Sequence, residues 1–297
     1  MKISIIYNIL DQIVSIENFA ANLKNIDKNY IEIIFIIQKK SKKTFDLISG
    51  LNLENASMQI FLVSSNEGLS YGLNMGIQMA KHDYLIFAIP NFMFSNDFNN
   101  IIIEINTMNS DVVFFDGLQN GDEATFKESF RHRIVSVWNM MVSKDILMNN
   151  KIFFHDYTKM FFDFIYELIK VSKKITIRQN KLIDTPNEKF FDHNSYDILV
   201  DASKIFFRVE SLKNKDDIEY YKALASIMII HEFLFQIWQA NSSSDTLKYA
   251  IKNANIVINN IYPEYKNNKY LNIWKNEKAP KFVLEFIPTL KYCLKEL

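Results

Sequence analysis

Cysteine is nearly absent: Cys293 is the single one in 297 residues, so no internal disulfide forms, and such sparse usage points to a reducing, cytoplasmic setting. Glycine (6) and proline (5) are also scarce, and no Pro/Gly/Ser-rich linker or internal repeat interrupts the chain. Few glycines beside abundant Ile, Asn and Lys read as the codon bias of an AT-rich genome, which erodes glycine without changing a fold. Excess charge of either sign is missing, with 34 basic and 34 acidic residues. That balance excludes a dedicated nucleic-acid binder and leaves room for local basic patches that hold phosphate. A membrane-spanning run is missing as well. The longest apolar stretch, Leu224 to Trp238, has about 15 residues and includes His231 and Glu232, short of the roughly 20 needed to cross a bilayer. It reads as a core helix. The opening MKISIIYNILDQ is too short an apolar run for a signal peptide and is broken by Asp11, so secretion is not expected. Membrane contact is at most peripheral, through the short amphipathic end LKYCLKEL.

What is present is enough chain to bury about three quarters of its unfolded surface, one large α/β domain with a smaller appendage. From Lys2 to Asp116, β-rich runs alternate with helical periods, the pattern of a parallel sheet wrapped by helices. Expected strands are Ile3 to Tyr7, Ile31 to Ile37, Gln59 to Val63, Tyr84 to Ala88 and Val112 to Phe115. Ile13, Ile16, Phe19 and Leu23 recur at helical spacing, and so do Leu69, Leu73, Ile77 and Ala80. An aromatic-rich helix through Phe161, Phe164, Ile165 and Leu168 precedes a strand from Lys174 to Arg178. From about Ser211 the pattern is helical: Ile218 to Ala240, Ser244 to Ile261 with Ser244 and Asp245 as capping candidates, and Phe282 to Leu297. Residues 1–205 and 206–297 are the expected domains. Ligands of such open sheets bind beyond the carboxyl ends of the strands, so the residues just after each strand carry the information.

Several blocks, in order, carry a resemblance: SIIYN (Ser4 to Asn8), IEIIFI (Ile31 to Ile36), NEGLSYGLNMGIQMAKHDYLIF (Asn66 to Phe87), FSND (Phe94 to Asp97), VWNMMVSKDIL (Val137 to Leu147) and SKKI (Ser172 to Ile175). The third is the most specific, with Gly68, Leu69, Ser70, Asn74, Gly76, Ile77, Ala80 and Tyr84 in step with N-x-G-L-S-x-A-R-N-x-G-I-x-x-A-x-G-x-Y-I-x-F. Over about residues 1–195 the chain resembles the family 2 glycosyltransferases of GT-A fold, and the resemblance implies a nucleotide-sugar-binding α/β domain with a mainly parallel central sheet, followed by an all-helical C-terminal region.

Family 2 enzymes transfer a sugar from a nucleotide diphosphate to an acceptor hydroxyl with three sets of carboxylates. Each set falls on other residues here. The D-D-G-S after the second strand, which holds base and ribose, becomes Ile37, Gln38, Lys39 and Lys40. The metal-binding D-x-D after the fourth strand becomes Ile89, Pro90 and Asn91. The E-D pair that deprotonates the acceptor becomes Met160 and Phe161, and the Arg of A-R-N becomes Leu73. Neither Ile nor a neutral Asn amide replaces a hard carboxylate ligand, so no divalent cofactor is expected. Neither Met nor Phe accepts a proton.

Two readings remain. In the first, apolar residues have filled a disused site, and the chain is a non-catalytic partner of another glycosyltransferase subunit, or binds a glycan or nucleotide-sugar. In the second, it is an active, metal-independent glycosyltransferase whose Lys39, Lys40, Arg131 and Arg133 replace the metal's charge at the diphosphate; lysine runs are otherwise solvated faces. By resemblance the substrate-binding residues are Tyr7, Asn8, Gln38, Lys39, Lys40, Asn74, Asn91, Arg131, Arg133 and Trp138, the last on the acceptor side if it is not a core aromatic. Asp156 and Asp163 are candidate replacement bases, with His155 beside them, although a surface or capping role is the commoner one for each of the three. Stray acids at Asp97, Asp111 or Asp116 form a further alternative. His231 and Glu232 do not start a zinc helix, because Phe235 occupies the second ligand position.

Overall fold

The computed structural model describes residues 2–9, 26, 30–38, 42–50, 57–64, 67–88, 93–105, 108–115, 121, 137–155, 162–184, 206–207, 209, 215–216, 218–223, 225–226 and 244–274. The chain divides into two compact units, one of Met1–Ser129, Val135–Asp156 and Phe164–Lys189, the other of Phe130–Ile134, Tyr157–Asp163 and Phe190–Leu297.

The first unit is built on strands β1 (Ile3–Ile9), β2 (Ile31–Gln38), β3 (Ser57–Val63), β4 (Tyr84–Ala88), β6 (Val112–Phe114), β7 (Met140–Ser143) and β8 (Ile175–Ile177). They form one seven-stranded sheet in the order β3-β2-β1-β4-β7-β6-β8. All neighbouring pairs are parallel except those of β7, which runs antiparallel to both β4 and β6. The short strands β5 (Met93–Phe94) and β9 (Ile183–Asp184) make a separate antiparallel pair. Every residue of β1 and β4 is buried, which is why ISIIYNI and YLIFA read as near-continuous apolar runs rather than alternating ones: both faces of a parallel sheet are covered.

The helices of this unit are α1 (Lys42–Ser49), α2 (Leu69–Met79), α3 (Phe98–Ile105), α4 (Lys144–Asn150) and, from Phe164 onward, α5 (Phe162–Val171). In α2, Leu73 and Ile77 turn inward with Gly72 and Gly76. A β-carbon at Gly72 would lie 2.4 Å from Asn8 Nδ2, and one at Gly76 would lie 2.3 Å from Ile6 Cγ2. Two bare positions one turn apart let α2 press directly onto β1. On α3, Phe98, Ile101, Ile102 and Ile105 form the buried stripe, an i, i+3, i+4, i+7 pattern.

The expected strands all form, with ends shifted by one or two residues, and the aromatic helix begins at Phe162. Sequence periodicity does not single out α1, α3, α4 or β7. Met140–Ser143 is four residues long, buried at three of them, and carries no alternation to read. The expected helices at Ile13 to Leu23 and Phe282 to Leu297 lie outside the described residues.

In the second unit, residues 218–223 are helical, and α6 (Ser244–Ile261) is followed by a 3-10 turn (Tyr265–Asn267) and α7 (Lys269–Trp274). Buried Asn268 caps α7 by accepting from Tyr270 N at 2.9 Å and Leu271 N at 3.1 Å, and its Nδ2 donates to Glu219 O at 2.8 Å. Tyr270 Oη donates to Asp216 Oδ2 at 2.6 Å, and Tyr265 Oη to Asn255 Oδ1 at 2.7 Å. No helix among the described residues is long and apolar enough to cross a membrane.

Candidate functional site

Strand order reverses at β1, which has β2 on one side and β4 on the other. The carboxyl ends of β1, β2 and β4 therefore mark the topological switch point, the place where ligands of open α/β sheets bind. One level of the register crosses this edge: Phe35 pairs with Tyr7 and Tyr7 with Ala88.

Tyr7 is fully buried, its ring 5.7 Å from Phe35 in a stacked arrangement and 6.4 Å from Phe94 edge-on. Burial pushes its hydroxyl well above the ordinary tyrosine range, so the side chain is neutral at every physiological pH. Asn8, also buried, donates through Nδ2 to Leu69 O at 2.6 Å, tying the end of β1 to the first turn of α2. Ile37, where the resemblance locates a ribose-binding carboxylate, is completely buried and pairs with Ile9. Gln38 ends β2 opposite Val63. Leu73, where the family has an arginine, is buried in the core.

Asn74 extends from α2 to the segment after α4. Its Nδ2 donates to Phe154 O at 2.7 Å, and its Oδ1 accepts from Phe154 N at 2.8 Å. The Phe154 ring stacks on Phe164 of α5 at 3.9 Å, and Phe87 of β4 meets it edge-on at 4.9 Å. Polar and aromatic contacts thus fix the chain one residue ahead of His155 and two ahead of Asp156. Trp138 is buried in a 3-10 turn, Val137–Asn139, that lies against β4. Asp163 lies on α5. Lys39, Lys40, Ile89, Asn91, Arg131, Arg133, Asp156, Met160 and Phe161 fall outside the described residues.

The alternative acids have other duties. Asp111 precedes β6 and so lies at the opposite edge of the sheet, where its carboxylate accepts from Lys173 N at 2.6 Å and Lys174 N at 2.9 Å. Asp97 accepts from Asn100 Nδ2 and Asn180 Nδ2, each at 2.8 Å. Asp116 is outside the described residues. Among the described residues, no group of three or more His, Cys, Asp or Glu side chains converges as a metal site.

Two features escape sequence reasoning. Asn139, next to Trp138, meets the end of β6: Phe115 N donates to Asn139 O at 3.0 Å, and Asn139 Nδ2 to Phe115 O at 3.2 Å. At the far edge, Glu32 is a fully buried carboxylate on β2, held by Ser4 Oγ at 2.7 Å, by Lys81 N at 2.9 Å and by Gln59 Nε2. Partners on other strands and loops supply both features, and no local spacing announces them.

No family profile matches the sequence, and no curated protein matches it. Solved structures do. Residues 1–349 of S. aureus TarS superpose with a TM-score of 0.67 at 13% identity, covering 98% of this chain and 88% of that one. The same protein in complex with UDP-GlcNAc gives 0.66 at 10% identity with the same coverage. The mannosyltransferase PcManGT from Pyrobaculum calidifontis, in complex with GDP-Man and Mn2+, gives 0.57 at 10% identity, covering 98% of this chain and 86% of that one. Identities this low speak for architecture alone, and the architecture is the GT-A-like glycosyltransferase fold, an α/β domain around a mainly parallel seven-stranded sheet.

Proposed function

We propose that this chain is a family 2 glycosyltransferase-like protein of surface glycan or glycoprotein assembly that binds a nucleotide-sugar at the carboxyl edge of β1, β2 and β4 and is impaired in sugar transfer. The observation that carries this reading is the fold shared with structures solved in complex with UDP-GlcNAc and with GDP-Man, together with a strand order that reverses at β1. Impairment is supported by the buried Ile37 at the end of β2, which offers a ribose hydroxyl neither charge nor acceptor, and by Ile89, Met160 and Phe161 at the other positions where carboxylates are expected. In this reading Lys39, Lys40, Arg131 and Arg133 supply positive charge to the diphosphate. A single such contact at about 4 Å is worth roughly 4 kcal/mol before desolvation at an effective dielectric near 20. The protein then serves as a nucleotide-sugar or glycan binder, or as the partner subunit of an active glycosyltransferase.

The test is titration of the full chain with UDP- and GDP-sugars, with and without Mn2+, followed by a transfer assay. Binding without turnover is the expected result. No binding at millimolar concentration overturns the reading, and turnover that survives chelation replaces impairment with metal-independent catalysis.

A further inference from the structure

Asn139 ends the 3-10 turn that leads into β7. Ile86 pairs with Met141; carried two residues further, that register sets Asn139 opposite Ala88, the last residue of β4. Phe115 lies on its other side, at the end of β6. Asn139 therefore sits between two carboxyl ends at the ligand edge, next to the point where the chain leaves β4 for Ile89 and Asn91. Donation from Nδ2 to Phe115 O fixes which way the amide faces. The Oδ1 atom at the other end is buried, and among the described residues nothing donates a hydrogen bond to it. A buried amide oxygen that has given up water with nothing in return is unusual in a folded protein and calls for a partner. That partner must donate a hydrogen. Phosphate oxygens only accept, so a diphosphate does not satisfy it, whereas a sugar hydroxyl does.

We propose that Asn139 Oδ1 accepts a hydrogen bond from a hydroxyl of the sugar in a bound nucleotide-sugar and so takes part in choosing that sugar. This rests on the nucleotide-sugar reading above. Asn139→Leu keeps much of the volume and removes the acceptor. In a variant that melts near the wild-type temperature, affinity for the preferred UDP- or GDP-sugar falls about tenfold, the worth of one hydrogen bond, while affinity for the matching nucleoside diphosphate is unchanged. Equal affinity of variant and wild type for the nucleotide-sugar overturns the proposal and leaves a structural water as the partner. An equal loss for both ligands also overturns it, since the sugar would then not be what is read. Wild-type protein that binds neither ligand removes the underlying reading and this proposal together. Should the variant not fold, 15N-asparagine-labelled wild-type protein decides: the Asn139 side-chain amide resonances shift with the nucleotide-sugar and not with the diphosphate, and no shift with either overturns the proposal.

Discussion

Asn74 and Phe154, 80 residues apart, are joined by two hydrogen bonds between one side-chain amide and one backbone unit, at 2.7 and 2.8 Å. An amide side chain can mimic a strand neighbour in this way, giving and accepting at once. The pair docks the chain that leads to His155 and Asp156 onto α2, and the Phe154–Phe164 stack secures it from the other side. Replacing Asn74 with Ala removes both bonds and leaves two backbone groups to find water. We expect a loss of about 2–3 kcal/mol in urea unfolding. Asn74→Asp, which keeps the acceptor and loses the donor, should also fall below wild type.

Gly72 and Asn8 form a second tight pair. Alanine favours a helix interior over glycine by about 1 kcal/mol, so on propensity alone Gly72→Ala would stabilise α2. The β-carbon, however, would meet the Asn8 amide at 2.4 Å, and that amide is held by Leu69 O. Overpacking should win, for a net cost of about 1–3 kcal/mol. In an Asn8→Ala background the obstacle is gone, and the same substitution should cost much less. A double-mutant cycle in denaturant measures the difference, and additive effects would show that the contact is not limiting.

These two pairs mark how far the sequence could be read. The YLIFA strand and the α6 limits, Ser244 and Ile261, follow from long apolar runs or strong periods bounded by polar residues. The Gly72 and Gly76 positions lie within the block that carries the family resemblance, but what they touch is set by β1, more than 60 residues earlier. Helix α3 hides because its IIIE core reads equally well as strand, and β7 because four residues hold no period. In the candidate site, the apolar character of Ile37 is legible as composition. The open acceptor on Asn139 is not, since it depends on Phe115 taking up the other half of the amide.

Glu32 illustrates the same limit with a stability consequence. Within IEIIFI an acidic residue suggests a solvent-facing position, yet its side chain is wholly buried. Ser4, Gln59 and the Lys81 backbone N–H all donate to it, and Ser4 Oγ in turn accepts from His82 N at 3.3 Å. Lys81 Nζ, at 3.9 Å and largely exposed, adds little. Glu32→Ala would strand three donors at the junction of β1, β2, β3 and the loop into β4. The expected loss is about 3–5 kcal/mol, the cost of leaving three donors without their acceptor, against well under 1 kcal/mol for Lys81→Ala, both read from chemical denaturation.

His82 makes this junction sensitive to acid. Desolvation by burial is the main cause holding its imidazole below the ordinary histidine value of 6.5; Lys2 and Lys81 act in the same direction, while Glu32 and Asp83 oppose them. The unfolded chain therefore binds this proton more readily than the folded one. Wherever the unfolded state holds more protons, stability rises with pH. The contribution of His82 is thus complete above pH 6.5 and is lost as pH falls below that value toward the lower pKa of the folded state. Melting temperature should drop on acidification through this window, and His82→Gln, which cannot be protonated, should flatten that part of the profile while leaving the carboxylate-driven loss at lower pH. An unchanged slope between pH 6.5 and 5 in the variant would show that another group carries the acid sensitivity.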